Sequence, residues 1–142
     1  MNLRSRLQMA LHGAGVILLG LLAGIPYALV VTGAMGGEER AWRMAHAEGI
    51  QNGLLLLAVA GIAGKLSLDE RRATLCAWSL IVAAYGNVVA SVIGAATGNR
   101  GLELSPPAAN LVVYALFVVA VAGVLTGLVL VMIGARAASR AT

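Results

Sequence analysis

Apolar residues run through this chain in four long stretches separated by short polar loops. The stretches lie near 9–33, 46–66, 73–98 and 108–134. Each has the length of about 20 residues that a helix needs to cross a bilayer. The first follows Arg4 and Arg6, as a signal peptide would. It is too long for the apolar core of one, and no small-x-small cleavage site precedes the charged loop, so it reads as a retained helix.

The loops differ in chemistry. Gly36-Gly37-Glu38-Glu39-Arg40 breaks the chain between the first two helices. Ser67-Leu68-Asp69-Glu70-Arg71-Arg72 joins the second to the third, with Asp69 and Glu70 suited to the positive end of a helix dipole. Asn99-Arg100-Gly101 and then Pro106-Pro107 end the third helix and delay the fourth.

Composition agrees with this pattern. Of 142 residues 60% are apolar and 11% charged, where soluble domains carry about 25% charged residues. The chain reads as one membrane domain, 1–142. A net charge of +4 raises nucleic acid as a partner, but the basic residues sit at segment ends rather than in one patch. Nucleic acid is therefore not expected, and the partner is the lipid bilayer. Cys76 is the only cysteine. It excludes an intrachain disulfide, a multi-cysteine metal site and covalently attached haem, and it reads as a packing residue.

Lys and Arg counts set the expected orientation. Arg4, Arg6, Lys65, Arg71, Arg72, Arg136 and Arg140 share one side; Arg40, Arg43 and Arg100 share the other. The positive-inside rule puts both termini in the cytoplasm. The expected fold class is all-α: an integral membrane four-helix bundle, multi-pass in a bacterial-type inner (plasma) membrane. His46 and the Asn99-Arg100 turn then lie near the outer face.

Polar groups inside membrane helices are costly, so each is a candidate site. His46, Glu48 and Asn52 fall within seven residues, in Trp42-Arg43-Met44-Ala45-His46-Ala47-Glu48-Gly49-Ile50-Gln51-Asn52-Gly53. Glu48 is also explained by the dipole of a first helical turn, and Asn52 by a hydrogen bond between helices. Ala83, Asn87 and Ser91 form a stripe at four-residue spacing on the third helix, continued by Gly94 and Gly98, and give an opposite wall. His12 lies near the other end of its helix, about 30 Å from His46 by helical rise, so the two cannot share a metal within one subunit. His12 reads as structural or interfacial, and Tyr27, Tyr85 and Tyr114 as packing residues. Each helix carries one GxxxG pair, Gly20/Gly24, Gly49/Gly53, Gly94/Gly98 and Gly123/Gly127. Such pairs let helix backbones approach closely, and beside a histidine they leave room for a flat cofactor.

The run from His46 to Gly53 resembles the histidine-to-asparagine stretch of the styrene oxide isomerases. Asn87 followed by Asn99-Arg100-Gly101-Leu102 is similar to that family's third-helix asparagine and Asn-Arg-Gly turn at the same spacing. Met9-Ala10-Leu11-His12-Gly13 resembles its N-terminal segment. The resemblance covers roughly the first hundred residues. It implies a membrane homotrimer with haem b held between subunits and His46 as the axial iron ligand. Ferric iron would polarise the oxygen of an apolar epoxide; ring opening and a hydride or alkyl shift would then give a carbonyl compound, the Meinwald rearrangement.

On this resemblance Asn52, Asn87 and Ser91 are the candidate catalytic residues. His46, Gly49, Gly53 and Arg100 are the candidate cofactor contacts, with Arg43 and Arg100 as possible propionate partners. Two departures stand out: Ala83 and Ser91 occupy positions where the family carries an aspartate and a tyrosine. A haem b protein serving redox chemistry, electron transfer or gas sensing is the alternative, and a haem-free oligomeric membrane protein a third.

Overall fold

The computed structural model describes residues 1–140, and these fold entirely into helices and their connections. Helix α1 spans Leu3–Val31, α2 Glu39–Ile62, α3 Glu70–Thr97 and α4 Ala108–Ser139, with a single 3-10 turn, Ala63–Lys65, closing α2. All four helices are long and apolar enough to cross a membrane. The chain is a multi-pass membrane protein.

Local chemistry sets the helix ends. Asn2 caps α1 by accepting from the Ser5 amide at 2.9 Å, and Asp69 caps α3 by accepting from Arg72 at 2.8 Å. Each satisfies a backbone donor that the first turn leaves without a partner. Gly98 ends α3 in the left-handed conformation, φ 71°, which costs glycine nothing.

The start of α2 corrects the sequence reading. The apolar stretch begins near 46, but the helix begins at Glu39 and carries Arg40 and Arg43 on exposed turns. Hydropathy marks the part of a helix that suits lipid, not where the helix itself begins. His46 is consequently two turns inside α2, and Glu48 is not in a first turn.

The helices pack as two antiparallel pairs, α1 with α2 and α3 with α4, joined chiefly through α2 and α3. Helix α3 is central: 56% of its spanning window is buried, against 17% for α1 and for α4. Many leucines and valines of the outer helices, such as Leu18, Leu22, Val121 and Leu125, are exposed. Such a surface suits contact with lipid or with another apolar helix face.

Glycine decides how close the pairs come. A Cβ on Gly13 would lie 3.0 Å from the Gly53 carbonyl oxygen, and one on Gly20 would lie 2.7 Å from the Ile50 nitrogen. Gly13, Gly20 and Gly24 of α1 thus meet Gly53, Gly49 and His46 of α2 in antiparallel order. On the other pair, a Cβ on Gly123 would meet the Ser79 carbonyl oxygen at 2.7 Å, and Gly127 faces Leu80. Gly94/Gly98 departs from this use. Gly94 faces the Asn99 carbonyl oxygen, and Gly98 is the cap of α3.

The termini and loops divide between two ends. The Met1 ammonium donates to the Ala63 carbonyl at 3.2 Å, and the Ser67 amide donates to Gly134 at 3.1 Å. The N-terminus, the α2–α3 connection and the end of α4 therefore share one end. At the other, Arg100 and Glu38 pair at 3.8 Å, bringing the first and third loops together. Between them the core gathers Met9, Val16, Leu56, Leu80 and Cys76. Cys76 is fully buried, its thiol donating to the Gly127 carbonyl, in keeping with a packing role.

Candidate functional site

His46 faces α1. Its Nδ1 lies 2.8 Å from the Gly20 carbonyl oxygen. A carbonyl only accepts, so Nδ1 carries the proton and donates. In the neutral imidazole this tautomer leaves the free lone pair on Nε2. Space for the ring depends on Gly24, where a Cβ would stand 2.9 Å from Nδ1. Tyr27 stacks on the ring with centroids 6.3 Å apart and planes 18° from parallel. The side chain is half-buried. Tyr27 thus holds a place beside the histidine that its sequence position, after Pro26, did not reveal.

His12 sits elsewhere, its Nδ1 3.2 Å from the Tyr85 hydroxyl and its ring near Trp78. Because His46 packs at the level of Gly20 and Gly24, the two histidines are separated by about ten residues of α1, roughly 15 Å of helical rise. That is half the separation expected from the apolar stretches, since α2 starts earlier than they do. It still places the two rings in different surroundings.

Gly49 and Gly53, expected to leave room for a flat group, are filled from within the subunit. Gly49 backs onto Gly20 and Val88, and Gly53 onto Gly13 and Ile17. Both are buried. The α1–α2 seam at these glycines is therefore closed by the subunit's own backbone and side chains.

The opposite face of α2 carries the other polar groups. Asn52 donates from its amide to the Glu48 carbonyl at 2.8 Å, a bond within its own helix rather than between helices. Glu48 reaches α3, where its carboxylate accepts the Ser91 hydroxyl. The dipole explanation of Glu48 fails with the first-turn assignment, and the residue belongs to the polar face. Ser91 is 8% exposed, and Asn87, one turn along the same stripe, is half-buried. Ala83, higher on that stripe, packs against α4 with its Cβ 3.1 Å from the position of a Cβ on Gly123.

Ser91 also lines a groove between the start of α2, the second half of α3 and Phe117 of α4. Arg100 and Glu38 stand at its rim; His46 does not line it. The third loop is held over this region by Asn110, which sequence reading missed. Its side-chain oxygen accepts from the Gly101 amide at 2.9 Å, and its amide donates to the Glu103 and Ser105 carbonyls, each at 2.9 Å. An asparagine three residues after Pro107, at the head of an apolar stretch, was the available signal.

These features define a multi-pass helical membrane protein with an oriented histidine two turns inside one helix and a second polar cluster across that helix. The chain matches the family described as styrene oxide isomerase over residues 5–136, and it belongs to that family. It is thus a member of an isomerase family. No curated protein matches the chain.

Proposed function

We propose that the protein is a haem b-dependent membrane isomerase that rearranges an apolar epoxide to a carbonyl compound, with His46 as the iron ligand. The observation that carries this reading is the hydrogen bond from His46 Nδ1 to Gly20. It fixes tautomer and ring orientation, as main-chain carbonyls do for metal-ligating histidines. Among the described residues no three His, Cys, Asp or Glu side chains gather as a metal site. Haem iron brings four ring nitrogens, so one histidine completes its attachment.

Ferric haem, when bound, supplies Lewis acidity toward the epoxide oxygen with no net redox change. The chain's own residues hold and orient. His46 anchors, Gly24 admits its ring and Tyr27 packs on it. Asn52 and Asn87 offer amide donors, and Ser91, its proton on Glu48, an acceptor, to a substrate that is otherwise apolar and reaches the protein from the bilayer.

Because Gly49 and Gly53 are filled by α1, a bound haem would lie outside this helix pair, in keeping with the interface between copies of a homotrimer that the family resemblance implies. Arg43 and Arg100, both exposed toward that end, are the cations that would meet the propionates. The seven-to-three division of basic residues supports cytoplasmic termini and an inner-membrane location.

A second reading, a haem protein without isomerase activity, is favoured by one observation. Ala83, at the family's aspartate position, is committed to close packing on Gly123.

The test is the visible spectrum of protein purified in mild detergent, with haem quantified per subunit, followed by an epoxide-to-carbonyl assay. A Soret band present in the parent and lost in His46→Ala supports the haem reading. Colourless protein after expression with added haem defeats it, and haem without product selects the second reading.

A further inference from the structure

The groove beside α3 has a chemistry separate from that of His46. Its volume is about 340 Å3, within the range of small-molecule sites. Met44, Ala90 and Phe117 give it apolar walls, Glu38, Arg40 and Arg100 are its charged lining residues, and Ser91 is the hydroxyl on its lining. His46 and Glu48, two residues apart, project about 200° apart around α2, so the groove lies across the helix from the histidine.

Glu48 does not line the groove, yet it determines what the groove offers. A serine hydroxyl has one proton and two lone pairs. The Ser91 proton is donated to the Glu48 carboxylate, 43 residues away in sequence. Ser91 lines the groove, and with its proton committed to Glu48 its hydroxyl keeps acceptor capacity alone. A carboxylate ten residues inside a membrane helix is costly to keep, and its side-chain hydrogen bond among the described residues goes to this serine.

We propose that Glu48 is a positioning and specificity residue: by holding the Ser91 hydroxyl as a fixed acceptor, it makes the groove a site for an apolar molecule that carries a hydroxyl donor. The hydroxyl preference itself requires neither haem nor turnover.

The experiment compares 2-phenylethanol with its methyl ether, nearly the same shape without the donor. Binding to the full-length protein in detergent is measured by equilibrium dialysis against a detergent-only blank. The parent is expected to favour the alcohol roughly fivefold to tenfold, the factor supplied by one ordinary net hydrogen bond. Ser91→Ala should abolish that preference. Glu48→Gln should reduce it, because a glutamine amide can donate to Ser91 Oγ and release the hydroxyl proton toward the groove.

Equal binding of the two probes by the parent, no binding of either, or a preference that survives Ser91→Ala would overturn the proposal. A preference unchanged in Glu48→Gln would overturn the role of Glu48. Alcohol preference in a protein that converts no epoxide would defeat the isomerase reading and leave this one standing.

Discussion

The imidazole of His46 donates to the main-chain carbonyl of Gly20, linking α2 to α1 at 2.8 Å. The bond sits where two glycines bring the helices to backbone contact. Ring orientation and helix packing are thus one feature: the carbonyl is within reach only because Gly20 and Gly49 carry no side chains.

Gly20→Ala is expected to disturb both. Its Cβ would stand 2.7 Å from the Ile50 nitrogen and 2.8 Å from Gly49 atoms, all backbone, so α1 must move away from α2. Overpacking of this kind costs about 1–3 kcal/mol. A lower thermal midpoint in detergent, together with weaker haem retention, is the expected result. A protein unchanged in both would show that the seam adjusts freely.

Gly24→Ala separates the two effects. The new Cβ would press on the His46 ring rather than on backbone, and a side chain can turn away. Haem occupancy should fall severalfold with a smaller loss of stability than for Gly20→Ala. Haem content per subunit and the thermal midpoint, measured on the same preparation, check this.

His12→Ala and Tyr85→Phe should leave haem content near that of the parent. Their hydrogen bond at 3.2 Å joins α1 to α3 away from His46, and its loss costs about 1 kcal/mol. Loss of the Soret band in His12→Ala but not in His46→Ala would reverse the ligand assignment.

Arg100→Ala tests the rim. Its ion pair with Glu38 is exposed and 3.8 Å long, so its contribution to stability is under about 1 kcal/mol. Stability should hold; haem occupancy or affinity should drop if Arg100 meets a propionate. Unchanged haem affinity would remove Arg100 from the cofactor contacts.

Asn110→Ala should loosen the third loop. The substitution removes one acceptor and two donors that tie Gly101, Glu103 and Ser105 together. A loss of about 1–3 kcal/mol is expected, with faster proteolysis between α3 and α4. Equal cleavage rates for parent and variant would count against this role.

Much of the architecture was legible along the chain. Four apolar stretches of bilayer length fixed four helices, because lipid offers no partners to bare backbone groups and only a helix satisfies them internally. Asp69 and Glu70 marked the start of α3, whereas Gly98, read as a packing glycine, is its cap. The GxxxG pairs announced close packing, and three of the four provide it. Local sequence misjudged Glu48, because hydropathy placed the start of α2 near 46 when charged, exposed turns extend it back to Glu39.

What the tertiary structure alone decided is pairing. Nothing local tells that His46 meets Gly20, 26 residues earlier, or that Glu48 meets Ser91, 43 residues later. Nor does spacing show that Gly49 and Gly53 are spent on α1. Sequence determined that this chain crosses the membrane as helices and which polar groups it carries there. The packing of those helices decided which group faces which, because hydrogen-bond partners in a membrane are set by the rotation and depth of whole helices, and those are fixed only when the helices meet.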